Sequence, residues 1–285
     1  MLLKSERVVF LDWLRFIACF MVMLVHCIEP FYLGGTEGTY IASWGNAFWT
    51  TAINSALRPA VPLFVLASSY LLFPLKTDTG TFFRKRFVRV VIPFVIWTLL
   101  YIFIPPFGSG AKADIAGGLK ELPFNFVMTA SGHLWFVYML LGVYLLMPLL
   151  SPWAEKVSRK GERNFLILWA FTTVLPIFRP LAEAVTGSPD LWGECPWNPF
   201  GTFYYVSGFI GFLVLGHYIR KYAGEVSWKK TLAYAVPFWI VGYAVTAGGY
   251  WHFMPREAGF PISAPYETAV LMETTWNFCT FGVMM

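Results

Sequence analysis

Charged residues are scarce in this chain, and it lacks the residue pairings that build metal sites or disulfide frameworks. Only 13% of its 285 residues are charged, whereas 57% are hydrophobic and 19% are aromatic. This balance excludes an ordinary soluble domain. The four cysteines form no CxxC pair and no metal-ligand spacing, so we assign them no chemistry. The net charge of +5 does not indicate nucleic-acid binding, because the basic residues fall in short loops rather than on one face.

Apolar runs of about 20 residues recur along the chain, each long enough to cross a hydrocarbon core of roughly 30 Å as a helix. We therefore expect an all-α fold, a polytopic transmembrane helix bundle forming one transmembrane domain over residues 1–285. The first run is too long and too charged for a cleaved signal peptide. About eight spans are predicted, near residues 8–32, 47–73, 87–105, 133–152, 164–185, 201–220, 231–251 and 266–285. The last run stops without a basic flank, so we expect a truncated C-terminus.

The loops between these runs alternate in charge, which predicts the orientation of the chain. Fifteen of the 21 lysines and arginines precede the first span or lie in the loops after the second, fourth and sixth spans. Cytoplasmic loops carry such an excess, so the N-terminus is expected in the cytoplasm. The intervening loops, at residues 33–46, 106–132, 186–200 and 252–265, are rich in Gly, Pro, Trp and Tyr, as expected at the outer interface.

The first span, LDWLRFIACFMVMLVHCIEPFY at residues 11–32, carries four ionisable side chains where hydrocarbon is expected. Arg15 and His26 are eleven residues apart, so at about 100° per residue they share one helix face to within roughly 20°. Along the axis they lie about 16 Å apart, with His26 near the outer boundary. Asp12 stands three residues before Arg15, and Glu29 three residues after His26. Each basic residue therefore has a carboxylate at pairing distance along the helix, and we call these four residues the stripe.

Charged side chains inside a span normally face a bundle interior or a water-filled cavity, so the stripe predicts a polar path along this helix. Histidine is the side chain that most often removes a proton from a hydroxyl in enzymes, so His26 is the candidate base, and Glu29 is expected to orient its ring. The alternative is that Arg15 and His26 extend to the inner and outer interfaces, where Asp12 and Glu29 only offset the cost of burial.

The dipeptide Arg58-Pro59 interrupts the second apolar run, because proline cannot continue the helical hydrogen-bond ladder. One interpretation places the break inside the span, where it lines a cavity. The other begins the span after Pro59 and leaves Arg58 near the surface.

Four segments carry a combined pattern that is more specific than any one of them. LDWLRFIACFMVMLVH has an arginine and a histidine separated by ten residues, and LRPAVPLFVLASSYLLF has a Pro-Leu-Phe run before a small-residue pair and a tyrosine. FFRKRFVRVVIPFVIWTLLY has an R-x-x-R helix entry, and SGHLWFVYMLLGVYLLMPLL a His-Leu-Trp-aromatic start. In this order the segments resemble the acyltransferase-3 family of integral-membrane acyltransferases, which includes O-acyltransferases of surface polysaccharides. Ser69 stands where that family usually has glycine, and the family usually has more spans.

The resemblance implies transfer of an acyl group, often acetyl, from cytoplasmic acyl-CoA to a hydroxyl of a cell-envelope glycan or lipid-linked sugar. It implies a multi-pass protein of the bacterial inner membrane, with acyl-CoA, a saccharide acceptor and membrane lipids as partners. It leaves a homo-oligomer open, and no metal is expected. His26 would remove the acceptor proton as catalytic base or take the acyl group itself, while Arg15 would extend a positive path for the donor.

Arg84, Arg86 and Arg89, at the cytoplasmic entry of the third span, are expected to bind the phosphates of CoA. The alternative is that these arginines only contribute the excess of basic residues that any cytoplasmic loop carries. His133, at the outer start of the fourth span, is expected to hold the acceptor hydroxyl or the thioester oxygen as it becomes negative. An interfacial histidine with a satisfied hydrogen bond is the alternative there.

Two other functional classes remain open on the residues alone. A transporter or flippase can use the stripe as a proton or substrate path, although no internal repeat of the kind common in transporters is visible. Haem ligation by His26 and His133 would need both rings at one depth, and no haem-attachment motif accompanies them.

Overall fold

Helices make up most of the structure that is described. A computed structural model of the protein describes residues 8–28, 43–104, 119–120, 134–174, 178–188, 190, 206, 208–222 and 227–253. No strand occurs in these residues, which confirms the predicted all-α fold. The helices are α1 (Val9–Ile28), α2 (Trp44–Leu57), α3 (Ala60–Leu72), α4 (Thr79–Phe103), α5 (Trp135–Lys156), α6 (Arg159–Val174), α7 (Arg179–Thr186), α8 (Phe209–Tyr222) and α9 (Trp228–Phe253).

Five helical segments in the described ranges have the length and composition of membrane spans, and this confirms a transmembrane helix bundle as the fold class. They are Val9–Ile28, Trp44–Leu72, Thr79–Phe103, Trp135–Lys156 and Trp228–Gly248. The predicted spans at 164–185 and 201–220 overlap the shorter helices α6 and α8, of 16 and 14 residues. The predicted span at 266–285 lies outside the described residues.

The break at Arg58-Pro59 lies inside a span rather than before it. Helix α2 ends at Leu57 and α3 begins at Ala60, and together they form one 29-residue candidate span. Pro59 has no N–H to donate, so the α2 ladder cannot continue through it, but its carbonyl accepts the N–H of Leu63 at 3.0 Å. Arg58 is half-buried at this turn. The structure therefore supports the interpretation in which the break occurs within the span.

The described helices divide into two compact units. The first contains α1, α2, α3 and the helices from α6 to α9, and the second contains α4 and α5. In the first unit α2 packs against both α1 and α9. The rings of Trp44 and Trp251 lie 5.5 Å apart, and the hydroxyl of Tyr243 donates to the carbonyl of Ala52 at 3.1 Å. These contacts hold α9 along the length of α2.

A buried tryptophan lies at the contact between helices α6 and α8. Trp169 is fully buried on α6, its ring lies 4.9 Å from that of Phe212, and its Nε1 donates to the carbonyl of Gly208 at 2.8 Å. Gly208 has φ +75°, a left-handed conformation that glycine adopts without strain. A Cβ on Gly211 would lie 1.9 Å from the indole ring. Two glycines thus allow the ring to rest on the backbone at the start of α8.

The second unit is an antiparallel pair of helices. Phe82 on α4 meets Tyr144 on α5 edge to face at 5.8 Å, and Phe94 meets Tyr138 at 5.1 Å. Aromatic pairs of this geometry stabilise packing beyond the area they bury. They fix the entry of α4, which carries the three candidate donor-binding arginines.

We expect Gly211→Ala to destabilise the protein by about 1–3 kcal/mol, because the added methyl group overpacks the contact with Trp169. The measurement is the thermal unfolding midpoint in detergent. Gly142→Ala on α5 is the matched control, since a Cβ there meets nothing within 4 Å and alanine favours a helix. Equal midpoints for the two variants would contradict the proposed packing.

Candidate active site

On helix α1, the described members of the stripe are half-buried. Leu11 and Ala18 are buried on this helix, at 2% and 0% exposure, and the side chains of Arg15 and His26 are half-buried. Asp12 is half-buried as well. The opposite face is exposed and consists of Trp13, Phe16, Ile17, Phe20 and Met23. An apolar exposed face and a half-buried polar face are the arrangement expected of a span that lines a protein interior.

Two candidate residues lie outside the described part of the chain. Glu29 follows the last described residue of α1, and His133 precedes the first described residue before α5. Their roles as orienting carboxylate and oxyanion donor therefore stay predictions. The described ranges hold no cluster of three or more His, Cys, Asp or Glu side chains with the placement of a metal site.

A small groove, with a cavity volume of about 80 Å³, opens between α1, α3 and α8. Its wall is apolar apart from one tyrosine and one glycine, and consists of Phe10, Leu11, Leu14, Leu63, Leu66, Ala67, Tyr70, Gly216 and Ile219. The start of α1 meets the ends of α3 and α8 there, and all three are cytoplasmic ends under the predicted topology. Arg15 follows one turn after Leu11 on α1. The groove therefore lies at the predicted cytoplasmic end of α1, and Leu11 in its wall is one turn from Arg15.

Helix α8 is held against α3 by backbone contacts at this end. The hydroxyl of Ser69 donates to the carbonyl of Leu213, and a Cβ on Gly216 would lie 2.7 Å from the Cβ of Ser69. Arg220 donates to the carbonyl of Tyr70 at 2.7 Å. Ser69, at the position where the related family usually has glycine, thus contributes a hydrogen bond between two helices.

A buried imidazole–carboxylate pair joins α6 to α8. Nδ1 of His217 lies 2.6 Å from Oε1 of Glu162, a distance at which an imidazole N–H donates to a carboxylate. Glu162 is 0% exposed and His217 is 4% exposed. Oε2 of Glu162 has no hydrogen-bond partner among the described residues. The pair is a polar contact that fixes α6 on α8, two helical turns from Trp169.

One face of α2 is both polar and buried. Thr51 is 6% exposed, and Asn54 and Ser55 are fully buried. Within the described ranges, the hydroxyl oxygens of Thr51 and Ser55 and both amide atoms of Asn54 have no hydrogen-bond partner. An unpaired amide or hydroxyl in an apolar interior costs roughly 1–3 kcal/mol by protein mutational data. Such groups are uncommon in folded proteins and call for a physical explanation.

In the second unit, the candidate CoA-binding arginines follow a capped helix start. Arg84 and Arg89 are exposed and Arg86 is half-buried. The carboxylate of Asp78 accepts the N–H of Thr81 at 2.7 Å and caps α4. This backbone hydrogen bond lowers the pKa of Asp78. Because the folded-state pKa is depressed, the cap contributes its full stabilisation at neutral pH and loses it as pH falls through that folded value.

A family model for an acyltransferase domain, of the acyltransferase-3 type, matches residues 8–285. The chain belongs to the acyltransferase-3 family. Membership confirms the resemblance seen in the sequence and makes the protein an acyltransferase. It does not favour the transporter alternative. Comparison with curated proteins and with solved structures gives no match.

Sequence reasoning missed two buried features of this acyltransferase. Glu162 lies among basic residues of a loop that we assigned to topology, and His217 lies in an apolar run without a carboxylate nearby in sequence. Thr51, Asn54 and Ser55 follow the i, i+3, i+4 spacing of one helix face, and this signal was sufficient to predict a polar face on α2. Glu162 and His217 are 55 positions apart, and no local sequence pattern predicts that they form a pair.

We expect His217→Ala to destabilise the acyltransferase by about 3 kcal/mol, because it leaves Glu162 buried without its imidazole partner. The double variant His217→Leu with Glu162→Leu should recover most of that loss, since two apolar side chains can replace a buried pair. Denaturant unfolding in detergent, followed by tryptophan fluorescence, measures both. A double variant no more stable than the single one would contradict this interpretation.

Proposed function

We propose that this acyltransferase moves an acyl group, with acetyl as the group transferred, from cytoplasmic acyl-CoA to a hydroxyl of a cell-envelope glycan or lipid-linked sugar. The observation that supports the proposal is that Arg15 and His26 are half-buried on one face of α1, in a chain of acyltransferase type. The proposal includes the bacterial inner membrane and a cytoplasmic N-terminus, which rest on the charge of the loops and on the family resemblance.

His26 acts as the general base in this proposal. Its imidazole takes the proton of the acceptor hydroxyl as the oxygen attacks the thioester carbonyl carbon. A C–O bond forms, the tetrahedral intermediate collapses with cleavage of the C–S bond, and the CoA thiolate recovers the proton from the imidazolium. The products are an ester and free CoA. Glu29, three residues further along, stabilises the imidazolium, and His133 donates to the oxyanion.

The groove beside α1 supplies a route for the donor. Its apolar wall suits the acyl and pantetheine portion of acyl-CoA, which is extended and narrow. Arg15 stands one turn beyond Leu11, so it can draw the polar part of the donor along the stripe. The separation of about 16 Å between Arg15 and His26 is comparable to the length of an extended pantetheine arm. A donor that enters from the cytoplasm can therefore present its thioester near the outer half of the span.

In the second unit, Arg84, Arg86 and Arg89 are the residues that we propose for binding the phosphates of CoA. Guanidinium groups form bidentate, charge-assisted hydrogen bonds to phosphate oxygens, and the exposure of Arg84 and Arg89 leaves them accessible to a soluble donor. Arg86 and Arg89 are three residues apart on α4 and share one face.

We expect His26→Gln to lower the turnover number at least about 100-fold, because glutamine keeps a hydrogen-bonding group but cannot accept the proton. Release of CoA thiol from acetyl-CoA in membranes that contain the acceptor measures turnover, and equilibrium dialysis of labelled acetyl-CoA measures donor binding. Donor affinity should not change. The neighbouring variant Cys27→Ala, at an exposed position, is the control for disturbance of α1. If His26→Gln turns over as fast as the wild type, His26 is not the general base.

We expect Arg86→Ala to raise the KM for acetyl-CoA about tenfold while the turnover number stays within a few fold, because a charged hydrogen bond to phosphate is lost. Arg163→Ala is the matched control. It removes the same charge from another basic segment, at an exposed position of α6. If both variants raise KM equally, the effect is one of loop charge and α4 is not the CoA site.

A further inference from the structure

The orphaned polar atoms of α2 point to a ligand that the described residues do not supply. Thr51, Asn54 and Ser55 lie within two helical turns on one buried face, and four of their side-chain atoms lack a hydrogen-bond partner in the part of the chain that the structure describes. Buried polar groups in proteins are nearly always paired with protein, water or ligand. The hydroxyls each donate and accept, and the asparagine amide offers two donors and one acceptor oxygen. These three side chains are uncharged and present donors and acceptors together, and the half-buried guanidinium of Arg58 follows four residues after Asn54.

This chemistry matches a polyhydroxyl compound. A sugar hydroxyl is itself a donor and an acceptor, and a pair of neighbouring hydroxyls can bind both ends of an amide. An anion carries no hydrogen-bond donor for the amide oxygen of Asn54, and a metal ion would prefer several carboxylates or imidazoles. We propose that Thr51, Asn54 and Ser55 bind hydroxyl groups of the saccharide acceptor. That the bound sugar is the acceptor rests on the proposed function. That these residues bind a sugar does not.

The position of the site along the span fits an acceptor that lies between the base and the donor. Asn54 is ten residues from Trp44, the first residue of α2, which corresponds to about 15 Å. On α1, Ala18 is also ten residues, or about 15 Å, from Ile28, the last residue of that helix. If Trp44 and Ile28 lie at one level on the predicted outer side, Asn54 falls at a depth between those of His26 and Arg15.

The polar atoms are enclosed in this arrangement of the helices, so binding requires a small separation of α2 from a neighbour. Helix α1 is the candidate to move, since much of its surface is exposed and few of its residues are buried. Trp239 and Tyr243, stacked at 5.3 Å on α9, adjoin α2 through the hydrogen bond of Tyr243 to Ala52. Each of these side chains has an apolar ring face and one polar N–H or O–H group, which suits a sugar ring with its C–H faces and hydroxyl groups.

The test compares two threonine variants of identical chemistry. Thr51→Val removes the unpaired hydroxyl, whereas Thr246→Val removes one that donates to the carbonyl of Gly242 at 2.8 Å on α9. Methyl glycosides of glucose, mannose and N-acetylglucosamine are the probes. Binding is measured by saturation-transfer NMR on the full chain in nanodiscs made without glycolipid, and no donor is added. Thermal unfolding midpoints are measured on the same samples.

We expect at least one methyl glycoside to bind the wild type, and Thr51→Val and Asn54→Leu to weaken its binding about tenfold each. Their midpoints should equal or exceed that of the wild type, because an unpaired polar group has been replaced by an apolar one. Thr246→Val should bind as the wild type does. If Asn54→Leu does not fold, glycoside binding by Thr51→Val alone tests the site, because valine keeps the shape of threonine.

Three results would overturn the site: no methyl glycoside binds the wild type, binding is unchanged in Thr51→Val, or Thr246→Val weakens it equally. A lower midpoint in Thr51→Val with unchanged binding would assign these groups a structural role. The proposed function fails separately. If the glycoside binds as expected but no acyl group passes from acetyl-CoA to it or to a glycan acceptor, the sugar site stands and the O-acyltransferase proposal does not.

Discussion

A polar side chain within hydrocarbon must find a partner, because water cannot reach it and an unsatisfied group costs several kcal/mol. This constraint organises the first compact unit of the acyltransferase. Asp12, Arg15 and His26 are half-buried on α1 while its aromatic face is exposed. His217 and Glu162 pair between α6 and α8, and Ser69 and Arg220 donate to backbone carbonyls of neighbouring helices. The polar atoms of α2 are among the exceptions in the described residues, and the proposed sugar ligand would pair them.

The same constraint connects the fold to the chemistry. Glycines at 211 and 216 let α8 approach Trp169 and Ser69 closely, and this packing frames the groove that reaches the start of α1. Beyond the groove, α1 continues through Arg15 toward His26. An acyl donor from the cytoplasm and a sugar acceptor from the outside would meet along this stripe, so one polar interior would serve both substrates.

Periodicity and composition predicted the helices and the inward face of α1, because a span whose charges share one face is stable only when that face is turned away from lipid. The break at Arg58-Pro59 was predicted, and the structure decided between its two interpretations. The pairing of Glu162 with His217 could not be predicted, since it depends on how α6 and α8 cross, and no local pattern encodes that. Glu29 and His133 lie outside the described residues, so the roles assigned to them rest on the sequence and the resemblance alone.

The most direct test of the account asks whether the stripe lines a path that the donor occupies. In a background with all four native cysteines replaced by serine, single cysteines are placed at Val22, a half-buried position between Arg15 and His26, and at Phe20, on the exposed face. The account predicts that a water-soluble thiol reagent modifies the Val22→Cys variant, that acetyl-CoA protects it, and that Phe20→Cys stays unmodified in lipid. An unreactive Val22→Cys, or one that acetyl-CoA does not protect, would contradict the proposed path.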